Sequence, residues 1–151
     1  MLINPPSGEV EEKCNCSKKE KCPVDGKCQK SEIIYRATIT QENGETNTYT
    51  GLSGNTFKKR YDGHNFTFNH PEAKQTTLST KYHELTNENV KFNLKWDIIE
   101  QARTFNPVTG ICALCTREKF LIAFAPEGAT LNKKSELYAS CRHMGGKITN
   151  P

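Results

Sequence analysis

Seven cysteines stand in two groups, one near each end of the chain. The first group, "CNCSKKEKCPVDGKC", has the form C-x-C-x5-C-x5-C and contains Cys14, Cys16, Cys22 and Cys28. The second is a C-x2-C at Cys112 and Cys115, followed by a C-x-H at Cys141 and His143. An odd number of thiols cannot all pair within one chain. Seven sulfurs and one imidazole do divide into two sets of four, and structural Zn²⁺ sites are closed, four-coordinate and built from Cys and His. The spacing therefore predicts two structural zinc sites. Cys14, Cys16, Cys22 and Cys28 form the first, and Cys112, Cys115, Cys141 and His143 form the second. The C-x-C leaves one alternative open, in which His70 replaces one of its sulfurs. Disulfides or buried free thiols are the other readings, but Lys, Glu and Asp flank the first group too closely for the apolar surroundings of a free buried Cys.

The rest of the chain has to position these groups. At 151 residues, 34% hydrophobic and 25% charged, it fits one domain with a modest core, which cross-links or metals would supplement. The opening "MLINPPSGEV" has no apolar run and no basic lead, so no signal peptide is expected. No stretch approaches the roughly 20 apolar residues of a membrane span. An intracellular location is the expectation, and reduced thiols there favour metal over disulfide. The formal net charge is +4, with basic clusters in "FKKRY", "NKK" and "CRHMGGK". Such clusters suit a phosphate backbone, and a solvated lysine-rich surface accounts for them as readily.

Patterning predicts the elements. "EIIYRATIT" alternates and is β-branched, a strand over 32–40. The Asn-Gly of "QENGET" turns the chain into a returning strand, "TNTYTGLS". Asn55 or Thr56 caps a helix that buries Phe57 and Tyr61. After the loop "HPEAKQTT", the helix "LSTKYHEL" sets Leu78, Tyr82 and Leu85 on one face, with His83 on its surface. "VKFNLKWDII" is a third strand, with Val90, Phe92, Leu94, Trp96 and Ile98 on one face. "FNPVTGI" reads as a loop, "CALCTREKFLIAFA" as a helix, "PEGATLN" as a break and "KKSELYASCRH" as a short last helix. The order ββααβαα is an α+β domain with a small three-stranded antiparallel sheet flanked by helices. Residues 1–13 and 144–151 read as tails, 14–30 as a Cys-rich zinc-binding segment, and 31–143 as the main domain with the second zinc site.

These elements carry a spaced series of polar residues. "IIY" puts Tyr35 on the first strand and "YTG" puts Tyr49 on the second. "FKKRYDGH" puts Arg60 and His64 four apart on the next helix, facing the same way. "CTREKF" supplies Glu118 from a later helix, and "LN" supplies Asn132. This order resembles the GIY-YIG nuclease family, over residues 33 to about 135. Within it, "CPVDGKC" ahead of the first motif strand and "LNKKSEL…CRH" at the end look closest to the endonuclease domain of Penelope-like retroelements. Ile33 stands where that family has the glycine of GIY, and Thr50 where it has the isoleucine of YIG. Neither family side chain does chemistry.

The resemblance implies a DNA endonuclease that hydrolyses phosphodiester bonds. Tyr35 would help activate water, with Tyr49 and His64 tuning or relaying the proton. Arg60 would clamp the phosphate and favour the phenolate of Tyr35. Glu118 would hold one Mg²⁺ or Mn²⁺ at the leaving 3′ oxygen, and Asn132 would orient the site. The resemblance further implies a nick for target-primed reverse transcription, a reverse transcriptase in the same polypeptide, and action on DNA in the nucleus. Two other readings stand beside it. One is a nucleic-acid-binding zinc module with an inactive nuclease fold, and the other a structural or interaction domain whose zincs are staples.

Overall fold

The computed structural model describes residue 16, residues 21–138 and residue 141. Cys14, His143 and both expected tails lie outside the described residues. Strand β1 (Ser31–Gln41) turns into β2 (Thr46–Thr56), helices α1 (Phe57–Asn69) and α2 (Thr77–Asn87) follow, and β3 (Phe92–Gln101) returns to the sheet. The sheet order is β2-β1-β3, antiparallel throughout, so β1 is central. At the hairpin, Gly44 takes a φ of +90°, a conformation that costs glycine little. Thr56 caps α1 by accepting the Lys59 N–H, and Thr76 with Ser79 forms a capping box on α2.

The sheet is covered on both faces. Ile33, Tyr35, Ala37 and Ile39 share one core with Phe57, Phe68, Leu78, Leu85 and Trp96. Ile34 belongs to a second core with Leu114 of α3 (Ala113–Phe124), joined by Leu52, Ile99 and Leu121. The run Ile33, Ile34 and Tyr35 is therefore buried on both faces, where alternation alone predicts one. The β1–β3 register shifts between Ile34 and Tyr35, a bulge of the kind that re-aims a side chain.

Two stretches differ from their sequence expectation. The loop "FNPVTGI" contains a small hairpin, β4 (Phe105–Asn106) with β5 (Ile111–Cys112), closed at Gly110 with φ +73°. The expected last helix is, over its described part, one 3₁₀ turn at Lys134–Tyr138. The bonds to β2 come from Leu131 and Asn132 just ahead of this turn, and Glu136 folds back to accept from Asn132 Nδ2. Among the described residues no helix is long and apolar enough to cross a membrane.

Candidate active site

Tyr35 is the centre of the arrangement. Its ring is fully buried, ringed by Tyr49, Phe57, His64 and Trp96 at centroid distances of 6.4, 6.0, 5.7 and 5.9 Å. Its hydroxyl lies 2.6 Å from His64 Nε2 and accepts a hydrogen bond from Arg60 Nε at 3.4 Å. Arg60 and His64, one turn apart on α1, thus meet on one oxygen. The ring leans over Gly51, its register partner on β2. A Cβ there would collide with the hydroxyl and come within 2.6 Å of Cζ. Because the ring is packed on every side, it has nowhere to retreat. Gly51→Ala is expected to cost about 1–3 kcal/mol, as overpacked cores do, read as a lower melting temperature. An unchanged melt would mean that Tyr35 swings clear.

Burial sets the protonation states. It is the largest influence on Tyr35 and pushes its hydroxyl above the ordinary phenol value, against the opposing charge and hydrogen bond of Arg60. Arg60 does favour the phenolate, by its charge and by its hydrogen bond, but complete desolvation of the ring outweighs it and the phenol stays protonated. Burial likewise raises Tyr49, with Tyr35 adding to it. His64 is lowered to about 4, first by burial and then by the charge of Arg60. At neutral pH the site holds a neutral phenol against a neutral imidazole. In the tautomer with the proton on Nδ1, the phenol donates to Nε2 and still accepts from Arg60.

Glu118 is partly buried on α3 and its charge acts on Tyr35, Tyr49 and Arg60. Its carboxyl is raised to about 7, first by burial and then by a second carboxylate, Glu136. Glu136 carries no sequence motif and had no place in the expected site. Its only signal is position, four residues after Asn132. Asn132 spends its amide on Thr50 and Glu136. Its Oδ1 accepts the Thr50 N–H at 2.8 Å, and its Nδ2 donates to Thr50 O at 2.8 Å and to Glu136 Oε2 at 2.6 Å. Leu131 N donates to Thr48 O at 2.8 Å, so this segment lines the outer edge of β2. His83, expected on the helix surface, is partly buried, and its ring Nε2 lies 2.8 Å from Thr67 O, tying α2 to α1.

The cysteines gather as two triads. Ligand atoms of Cys16, Cys22 and Cys28 lie within 4.8 Å of one another, and so do those of Cys112, Cys115 and Cys141. The Cys16 and Cys28 sulfurs are 3.8 Å apart. Zn–S bonds of about 2.3 Å in a tetrahedron give an edge of about 3.8 Å, so the donor set fits this ion. Lys58 Nζ donates to Cys16 at 3.9 Å and Gln29 Nε2 to Cys28 at 3.7 Å, outer contacts that suit thiolates. Cys112 caps α3 and accepts the Cys115 N–H at 3.4 Å, so the C-x2-C opens the helix that carries Glu118. Burial raises the Cys115 thiol, as do Cys141 and Cys112 beside it, and a bound ion would reverse that by taking the thiolates. His70 is not part of the first triad. Its Nδ1 lies 2.8 Å from Phe66 O, its ring on that of Phe66.

No family model, no curated protein and no solved structure matches this chain.

Proposed function

We propose that the chain is a metal-dependent DNA endonuclease of GIY-YIG type, from a Penelope-like retroelement, stapled by two structural Zn²⁺ ions. The observation that carries this reading is the Tyr35 hydroxyl, gripped between His64 Nε2 at 2.6 Å and Arg60 Nε at 3.4 Å, with Glu118 and Glu136 acting on it. A water arriving at Tyr35 Oη gives its proton to that oxygen while Tyr35 passes its own to His64 Nε2. His64 is unprotonated at neutral pH, and because burial and the charge of Arg60 disfavour its cation it holds the proton only in passing before returning it. Arg60 is exposed as a residue, so its guanidinium can meet a phosphate from solvent while its Nε donates to Tyr35. Glu118 would hold one Mg²⁺ or Mn²⁺, which when bound supplies charge stabilisation at the leaving 3′ oxygen. The nick would expose a 3′ hydroxyl to a reverse transcriptase in the same polypeptide, at DNA in the nucleus.

Tyr35→Phe tests the carrying observation, since it deletes one oxygen and keeps the packed ring. Nicking of supercoiled plasmid in Mg²⁺ is expected to fall about 10²–10⁴-fold with DNA binding intact. Wild-type nicking by Tyr35→Phe would remove the phenol from the chemistry. One observation favours a second reading, a DNA-binding zinc module that does not cleave: burial holds the Tyr35 proton firmly. Plasmid binding without nicking by the wild-type chain would select that reading.

A further inference from the structure

We propose that Glu136 is a positioning residue of the site, acting through Asn132 on the backbone of β2. Asn132 uses its whole amide. One N–H and the carbonyl oxygen clasp Thr50 as a neighbouring strand would, and the second N–H goes to Glu136 Oε2 at 2.6 Å. A turned amide would aim its oxygen at both the Thr50 carbonyl and the Glu136 carboxylate, so the two partners select one orientation. Among the described residues β2 is an edge strand, with β1 on one side. Asn132 supplies at Thr50 the pairing that the open edge lacks, and Thr50 Oγ1 donates to Gly128 O at 2.6 Å to fix the same residue again.

The consequence falls on the phenols. Thr50 is flanked by Tyr49 and by Gly51, the residue under the Tyr35 hydroxyl. A hydrogen bond to a charged acceptor is stronger than one between neutral groups, and its loss leaves the Asn132 amide anchored by Thr50 alone. Thr50 then loosens, and the hydroxyl that His64 and Arg60 hold loses its floor. The arrangement assigns Glu136 to a bond spanning four residues, rather than to the surface of the 3₁₀ turn it sits on.

The effect on cleavage rests on the nuclease reading, whereas the effect on Thr50 does not. In the full chain, amide hydrogen exchange of Thr50 is expected to quicken roughly ten-fold in Glu136→Ala. In Glu136→Gln most of the protection returns, because the Gln carbonyl still accepts from Asn132. Adding Glu136→Ala to Asn132→Ala changes Thr50 little further, since the bond is already gone. Nicking by Glu136→Ala should fall about ten-fold in kcat with KM held. Unchanged Thr50 exchange in Glu136→Ala overturns the proposal, and so does exchange in Glu136→Gln as fast as in Glu136→Ala. Altered exchange in a chain that never nicks DNA supports the positioning and defeats only the nuclease reading.

Discussion

Glu118→Gln is expected to abolish the proposed nicking and to raise the melting temperature at pH 8. The substitution is nearly isosteric and leaves α3 its helix. It removes the carboxylate assigned to the divalent ion, and an amide is a poor ligand for a hard cation. Cleavage should fall by about three orders of magnitude or more at any Mg²⁺ concentration the wild type uses. Stability moves the other way. The folded-state pKa of Glu118 is about 7, raised above its ordinary 4.5 by burial and by Glu136. As pH rises from about 4.5 to 7 the unfolded chain releases this proton before the folded chain does, and stability is lost across that window. Gln carries no such loss, so its advantage in Mg²⁺-free buffer is full at pH 8 and absent near pH 4. His64, lowered to about 4, contributes the opposite slope, but it is present in both proteins and cancels in the difference. Wild-type nicking by Glu118→Gln would end the proposed mechanism. A lower melting temperature at pH 8 would mean that Glu118 is held by a partner.

The pairing of high stability with lost activity is what a working site predicts. Burial raises Glu118, and Glu136 adds a like charge nearby. A core free to choose would place neither carboxylate there. A cation bound at Glu118 would relieve the repulsion, which is why the stability gain is sought in Mg²⁺-free buffer.

Local patterns carried much of this site into the sequence. β-branched alternation marks β1, Thr56 marks the start of α1, and the spacing of four between Arg60 and His64 brings both onto Tyr35. The C-x2-C reads directly as the cap and first turn of α3. What the sequence hides is tertiary. Asn132 meets Thr50 across 82 residues, and nothing in "LNKKSEL" says that its Glu will turn back onto its Asn. The protonation of Tyr35 and His64 depends on how completely Trp96, Phe57 and Phe68 enclose them, which no spacing encodes. The strands of β4 and β5 are two residues each, too short for any period to register.

Cys115→Ser is expected to cost one of the two metal ions and the ordered site together. The second triad joins two stretches of chain, each carrying one carboxylate. Cys115 precedes Glu118 by one turn of α3, and Cys141 follows the 3₁₀ turn that holds Glu136. An ion at Cys112, Cys115 and Cys141 would therefore fix the separation of Glu118 from the segment that splints β2. Removing one thiolate leaves too few ligands for a closed tetrahedral site. Zinc content should fall from about two ions per chain to about one. The melting temperature should drop by on the order of 10 °C, because a staple between α3 and the chain's last described segment is gone. Thr50 exchange should rise as in Glu136→Ala, and nicking should be lost with it. Cys22→Ser, in the other triad, provides the contrast. It should also lose one ion, yet leave the Thr50 amide protected, because the Asn132 and Glu136 hydrogen bonds run to Thr50 and to each other and not to that triad. Two bound ions and a protected Thr50 in Cys115→Ser would show that Cys115 is not a ligand the second ion needs. One bound ion with Thr50 still protected would show that Asn132 keeps its place on β2 without the staple.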